Sequence, residues 1–136
     1  VLVHKICSVW EGRCGEDVYM SYRATKFDRR DSLTYQMNAI TRPRVPCSKL
    51  FAFDSLGSCD EFIRLSRSIN LWSYAVLLCL AKKADKLETV SFSLDWTFWK
   101  DLQGDAEAPE GTVACPSLTP IRVERFHRGV TPCIFN

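Results

Sequence analysis

The chain has 136 residues, 18 basic and 16 acidic, for a net charge of +2. That is enough for one domain with a real core, and too balanced a charge for a nucleic-acid groove. At 46% hydrophobic and 25% charged the composition excludes a disordered chain. Its apolar runs fall short of the ~20 residues needed to cross a bilayer, so no membrane span is expected.

An apolar start (Val1-Leu2-Val3, Ile6, Val9-Trp10) leads to a predicted strand over Asp17–Ala24. Period-two reading puts Val18, Met20 and Tyr22 on one face and Tyr19, Ser21 and Arg23 on the other. The polar segment from Lys26 to Ser32 predicts a turn opening a short helical stretch. Residues 41–60, with Pro43, Pro46 and Gly57, predict a long loop. A short strand is expected at Phe62–Ser66. Asn70 is then a plausible N-cap for a buried helix over Leu71–Lys83, with Lys82, Lys83 and Lys86 suited to its C-terminal end. Glu88–Trp99 alternates Val90, Phe92, Leu94, Trp96 and Phe98 with polar residues, the pattern of a half-buried strand. Residues 101–120 form a Pro/Gly-punctuated loop. A last strand is expected at Ile121–Phe126, with Arg122 and Glu124 on one face and Ile121 and Val123 on the other. The order is that of an α+β domain spanning 1–136.

Seven cysteines are many for this length. With no CxxC pair, and with His4 and His127 at opposite ends, metal ligation is a poor reading. A disulfide framework in a secreted protein fits better, and a start at Val1 suits a chain trimmed of a signal peptide. Cys79, inside an apolar run, is expected to be the buried odd thiol. That leaves Cys7, Cys14, Cys47, Cys59, Cys115 and Cys133 as disulfide candidates. Fifteen pairings are possible; Cys7 or Cys14 with Cys133 or Cys115, and Cys47 with Cys59, are the expected ones.

Three ordered segments carry a resemblance. They are Tyr22-Arg23-Ala24-Thr25; Phe62-Ile63-Arg64-Leu65-Ser66-Arg67-Ser68 with the expected helix from Leu71; and Arg122-Val123-Glu124 followed by Gly129 and Pro132. Together they resemble the ADP-ribosyltransferases of the cholera and heat-labile enterotoxin A-chain class, including related secreted fungal proteins. The resemblance implies a split β-sheet with few helices. It implies that Arg23 and Ser66 would hold NAD, the arginine through paired bonds to phosphate oxygens. Glu124 would be the catalytic group, stabilising an oxocarbenium-like sugar as nicotinamide leaves.

Two departures point away from transfer. Arg64 stands where the first serine of a triplet is expected, and Arg122 stands two residues before the glutamate, where Glu or Gln is usual. An arginine there would hold the carboxylate as an ion pair. The expected protein is a secreted, effector-like monomer that has lost catalysis and binds a host protein, because fold and chemistry are separable.

Three alternatives remain at this point: an active NAD-dependent transferase, an unrelated secreted α+β module with Trp72, Trp96 and Trp99 as core or interface residues, and other catalysis. For the last, Cys133 or Cys115 with His127, or Glu124, His127 and Arg128 as a ribonuclease site, are the formal candidates.

Overall fold

A computed structural model describes residues 1–21, 33–44, 49–66, 69–87, 89–90 and 106–134. Arg23, Cys47, Ser68, Trp96, Trp99 and most of the predicted 88–99 strand therefore lie outside the described residues. The described part is α+β, mostly antiparallel sheet with one α-helix.

The apolar start becomes a long strand, β1 (Leu2–Glu11), which turns back through Gly15 into β2 (Asp17–Ser21). Gly15 has φ +78°, a conformation glycine adopts without the Cβ penalty. Then come β3 (Thr34–Tyr35), β4 (Leu50–Phe53), α1 (Leu56–Leu65), a 3-10 turn (Ile69–Leu71) and β5 (Tyr74–Leu80). The short β6 (Asp85–Lys86), β7 (Thr89–Val90) and β8 (Ala106–Glu107) precede β9 (Thr112–Cys115) and β10 (Thr119–His127).

Two expectations are corrected here. Leu71–Lys83 is not a helix. Its apolar part is the strand β5, flanked by β1 and β10, and Asn70 sits in the 3-10 turn, not at an N-cap. Phe62–Ser66 is not a strand but the last turn of α1 and its cap. In addition, the two segments expected to be loops hold regular structure: β4 and the start of α1 in one, β8 and β9 in the other.

The strand order is β10-β5-β1-β4-β9-β6, with β2 also on β1 and β3 on β2. Thus β1 keeps β5 along one side, while its other side meets β4 at His4 and β2 from Cys7 onward. Beyond β3 the chain returns to the start of β10, where Asn38 N–H donates to the Pro120 carbonyl (2.7 Å) and Thr41 pairs with Leu118.

Both sheet faces are covered. The inner face carries Cys7, Val9, Leu77, Cys79, Cys115 and Leu118. Lys5 is buried there too, its Nζ donating to the Phe51 carbonyl at 2.6 Å and lying 5.5 Å from the Tyr35 ring centroid. The opposite face carries Ile6, Phe51, Phe53, Val76 and Ala114 under α1.

Helix α1 begins because Ser55 Oγ accepts the Ser58 N–H (3.1 Å), satisfying one of the orphan donors of the first turn. Leu56, Cys59, Phe62 and Ile63 recur at helical spacing and form its sheet-facing stripe. Phe62 packs on Phe53 with ring centroids 5.4 Å apart.

Among the described residues, the six cysteines are free thiols. Where the sequence predicts one buried hydrophobic thiol, at Cys79, the structure has four: Cys7, Cys59, Cys79 and Cys115. Cys7 and Cys115 pack on the inner face and Cys59 on the helix face, each filling core space as a small hydrophobe. No helix among the described residues is long and apolar enough to cross a membrane.

Candidate functional site

The polar side chains collect where α1 meets the β10 edge of the sheet. Paired residues of an antiparallel ladder point to the same face. Arg122 opposite Leu78, Arg125 opposite Val76 and His127 opposite Tyr74 therefore share the helix side, whereas Val123 opposite Leu77 and Phe126 opposite Ala75 share the inner side. Irregularities between Pro120 and Arg122, and between Val123 and Arg125, break the simple alternation expected from sequence.

Each of these polar side chains has a partner. Glu124 Oε1 accepts from Arg122 Nε at 3.0 Å, and Arg122 Nη2 lies 3.0 Å from the same oxygen. The arginine side chain is 67% exposed and the glutamate only 21%. The guanidinium thus stands in solvent while the carboxylate it holds is largely withdrawn from it. Arg125 bonds Asp60 on α1 at 3.3 and 3.4 Å, and that pairing raises its own pKa. His127 stacks on Tyr74 with centroids 5.0 Å apart. Its Nε2 lies 2.8 Å from the Asn70 carbonyl; a carbonyl can only accept, so Nε2 carries the proton.

His4, in the row of Leu78 and Arg122, has a buried Nδ1 with no hydrogen-bond partner among the described residues. Burial lowers its pKa below the ordinary imidazole value, and it outweighs the opposing pull of Glu124, Asp54 and Asp60.

The expected NAD constellation is only partly visible. Arg23 lies outside the described residues. Ser66 ends α1: its N–H bonds the Phe62 and Ile63 carbonyls and its Oγ donates to the Phe62 carbonyl at 2.9 Å. It lines a groove of about 740 Å³ between α1 and residues 108–110, with Ser58, Glu61, Phe62, Leu65 and Glu110. Glu124 is not among the lining residues, so these two candidates are not brought into one cavity. Arg64 points to solvent and pairs with Glu61 at 2.6 Å.

Gly129 and Pro132 have structural tasks. A Cβ on Gly129 would lie 2.7 Å from the Leu71 carbonyl oxygen and 2.9 Å from the Trp72 carbonyl carbon. Its N–H donates to buried Ser73 Oγ, and the Pro132 carbonyl accepts the Glu11 N–H.

The other catalytic readings lose their geometry. Burial pushes the Cys115 thiol up to about 11, and the Glu11 carboxylate, 3.3 Å from Cys133 Sγ, raises that thiol as well. A nucleophilic cysteine needs the opposite shift. For a ribonuclease, Glu124 is tied to Arg122, His127 to Asn70 and Arg128 to Asp17, three separate engagements. No group of three or more His, Cys, Asp or Glu able to hold a metal occurs among the described residues.

Sequence reasoning misses the contact of Asp60 with Arg125 and the stack of Tyr74 on His127. Asp60 falls in an expected loop and Tyr74 in an expected helix, so neither can be paired with a strand from the residues alone. Comparison with known protein families, curated protein sequences and solved structures finds no match to this chain.

Proposed function

We propose that this protein acts by binding a protein partner, in the manner of a secreted effector, and does not transfer ADP-ribose. One observation carries the reading: the candidate catalytic carboxylate, Glu124, is held by Arg122 in an ion pair and is itself only 21% exposed. A glutamate poised for a ribose needs free acceptor oxygens facing a cleft. Ser66, the candidate NAD-positioning hydroxyl, is spent on its own helix end. The ADP-ribosyltransferase-like ancestry, the host target and the secreted setting come from the sequence resemblance and the cysteine content.

The test is incubation with labelled NAD and candidate host proteins, together with thermal shift in NAD. The expected result is no label transfer and no shift. Label transfer that disappears in Glu124→Ala would overturn the reading and establish an active transferase.

An unrelated α+β binding module is the second reading, and one observation favours it. The segment resembling the family's serine strand is helical here, and the next segment, expected as helix, is a strand.

For the secreted setting, the disulfide proposal narrows to Cys14 with Cys133. Cys14 is exposed in the β1–β2 turn, three residues after Glu11, to which Cys133 is bridged. The four core thiols stay reduced. Intact mass of protein made in an oxidising compartment should rise by about 2 Da on reduction, and the Cys14→Ser variant should show no rise.

A further inference from the structure

We propose that the outer edge of β10, from Ile121 to His127, docks an extended segment of a partner protein that alternates acidic and apolar side chains. This rests on the binding reading above and names the surface and the chemistry of the partner.

β10 ends the strand order, with β5 on its inner side. Among the described residues its outer side is paired only at the start, by Asn38 and Thr41 with Pro120 and Leu118. From Ile121 to His127 no described segment bonds that outer edge. An open edge presents backbone donors and acceptors to any extended chain that fits.

The side chains say which chain fits. On the helix side of the edge stand Arg122 and Arg125, 67% and 51% exposed. On the inner side Val123 and Phe126 are 37% and 40% exposed, and the Arg128 guanidinium lies 4.6 Å from the Phe126 ring centroid. Side chains of an added strand alternate between these faces. Its acidic residues meet Arg125 and the exposed side of Arg122, which keeps Glu124 on its Nε and Nη2, and its apolar residues meet Val123 and Phe126.

The carboxylates that now hold Arg125 and Arg128, Asp60 and Asp17, sit at 3.3 and 3.4 Å in exposed pairs. Such pairs are weak, so exchange for a partner's carboxylates costs little. A second copy of this chain is disfavoured, because it would set an edge of two arginines and one glutamate, with Arg128 just beyond it, against itself. The two irregularities twist the edge and restrict it to a short partner segment.

The probe is a fluorescein-labelled peptide of about ten residues alternating Glu and Val. Two controls share its length: a block peptide of the same composition, and a Lys/Val alternate. We expect the Glu/Val alternate to bind at least ~10-fold tighter than either control, to weaken with salt, and to slow amide exchange at 121–127. The double variant Arg122→Gln, Arg125→Gln, which adds no like-charge contact to Glu124 or Asp60, should lose ~10-fold in affinity with little change in melting temperature. Equal binding of the alternate and block peptides, or no protection at 121–127, overturns the proposal. So does concentration-dependent self-association that protects the same amides. Failure here leaves the binding reading intact on another surface, whereas Glu124-dependent label transfer from NAD defeats that reading without touching the edge.

Discussion

On the inner face of the sheet, burial runs unbroken from Val9 through Cys7 and Leu77 to Leu118, closed over by Tyr35 and the return of residues 38–41 to β10. On the helix face it stops at Val76, and the next side chain in that row is Arg125, which reaches back to α1 for a carboxylate. The same strand, β5, contributes to both. The difference lies in what packs on each face: Tyr35 with Leu33 and Met37 on one, a ten-residue helix on the other. The short cover leaves a polar margin, and that margin holds Arg122, Arg125 and His127.

By this contrast, the largest losses come from the inner face. Leu77 has no exposed surface, and Leu77→Ala should cost about 3 kcal/mol in urea unfolding, from lost burial plus the cavity left behind. A cost below ~1 kcal/mol would mean the inner face is loosely packed. The seam joining the C-terminal tail to β5 comes next. Gly129→Ala drives a Cβ into the backbone of Leu71 and Trp72, and overpacking of this kind should cost about 2 kcal/mol, read from the same curves.

The margin itself should show as a pH effect. His4 has a pKa lowered in the folded state, chiefly by burial, so at acid pH the unfolded chain takes up the proton more readily. The stability that neutral His4 supplies is fully present above pH ~6.5 and is lost as pH falls through the lowered folded value. Melting temperature should therefore drop between about pH 7.5 and 5.5, and His4→Gln should flatten that drop. Glu124→Gln, which removes the largest charge opposing the shift, should steepen it. An identical slope in all three proteins would detach His4 from the margin.

Several elements were legible in the residues. The last strand, the strand from Asp17 and the pairing of Glu124 by Arg122 all follow from alternation and charge. The exchange of helix and strand between residues 56 and 80 did not, for a physical reason. A strand covered on both faces loses its polar alternation, and Tyr74–Leu80 then looks like a buried helix. Its seven-residue length, short for a helix, was the usable clue. The signal for α1 was also present, with Ser55 as cap and an apolar stripe at 56, 59, 62 and 63, but neighbouring prolines and Gly57 masked it. The bulges of β10, which set which side chains face α1, leave no mark in the residue pattern.

β1 has its nearest partner in β2, a few residues away, but its other partners are Phe53, residues 74–80 and, at Glu11, residues 132–134. Loops of such length must close before these contacts form, which places the fold among the slow, high-contact-order topologies that take milliseconds to seconds. As the chain leaves the ribosome, the β1–β2 hairpin can form at once, yet Val3 and Ile6 stay uncovered until β5 has emerged. β1 is thus made well before its partner β5, and the nascent protein carries a sticky apolar strand until residues 74–80 follow.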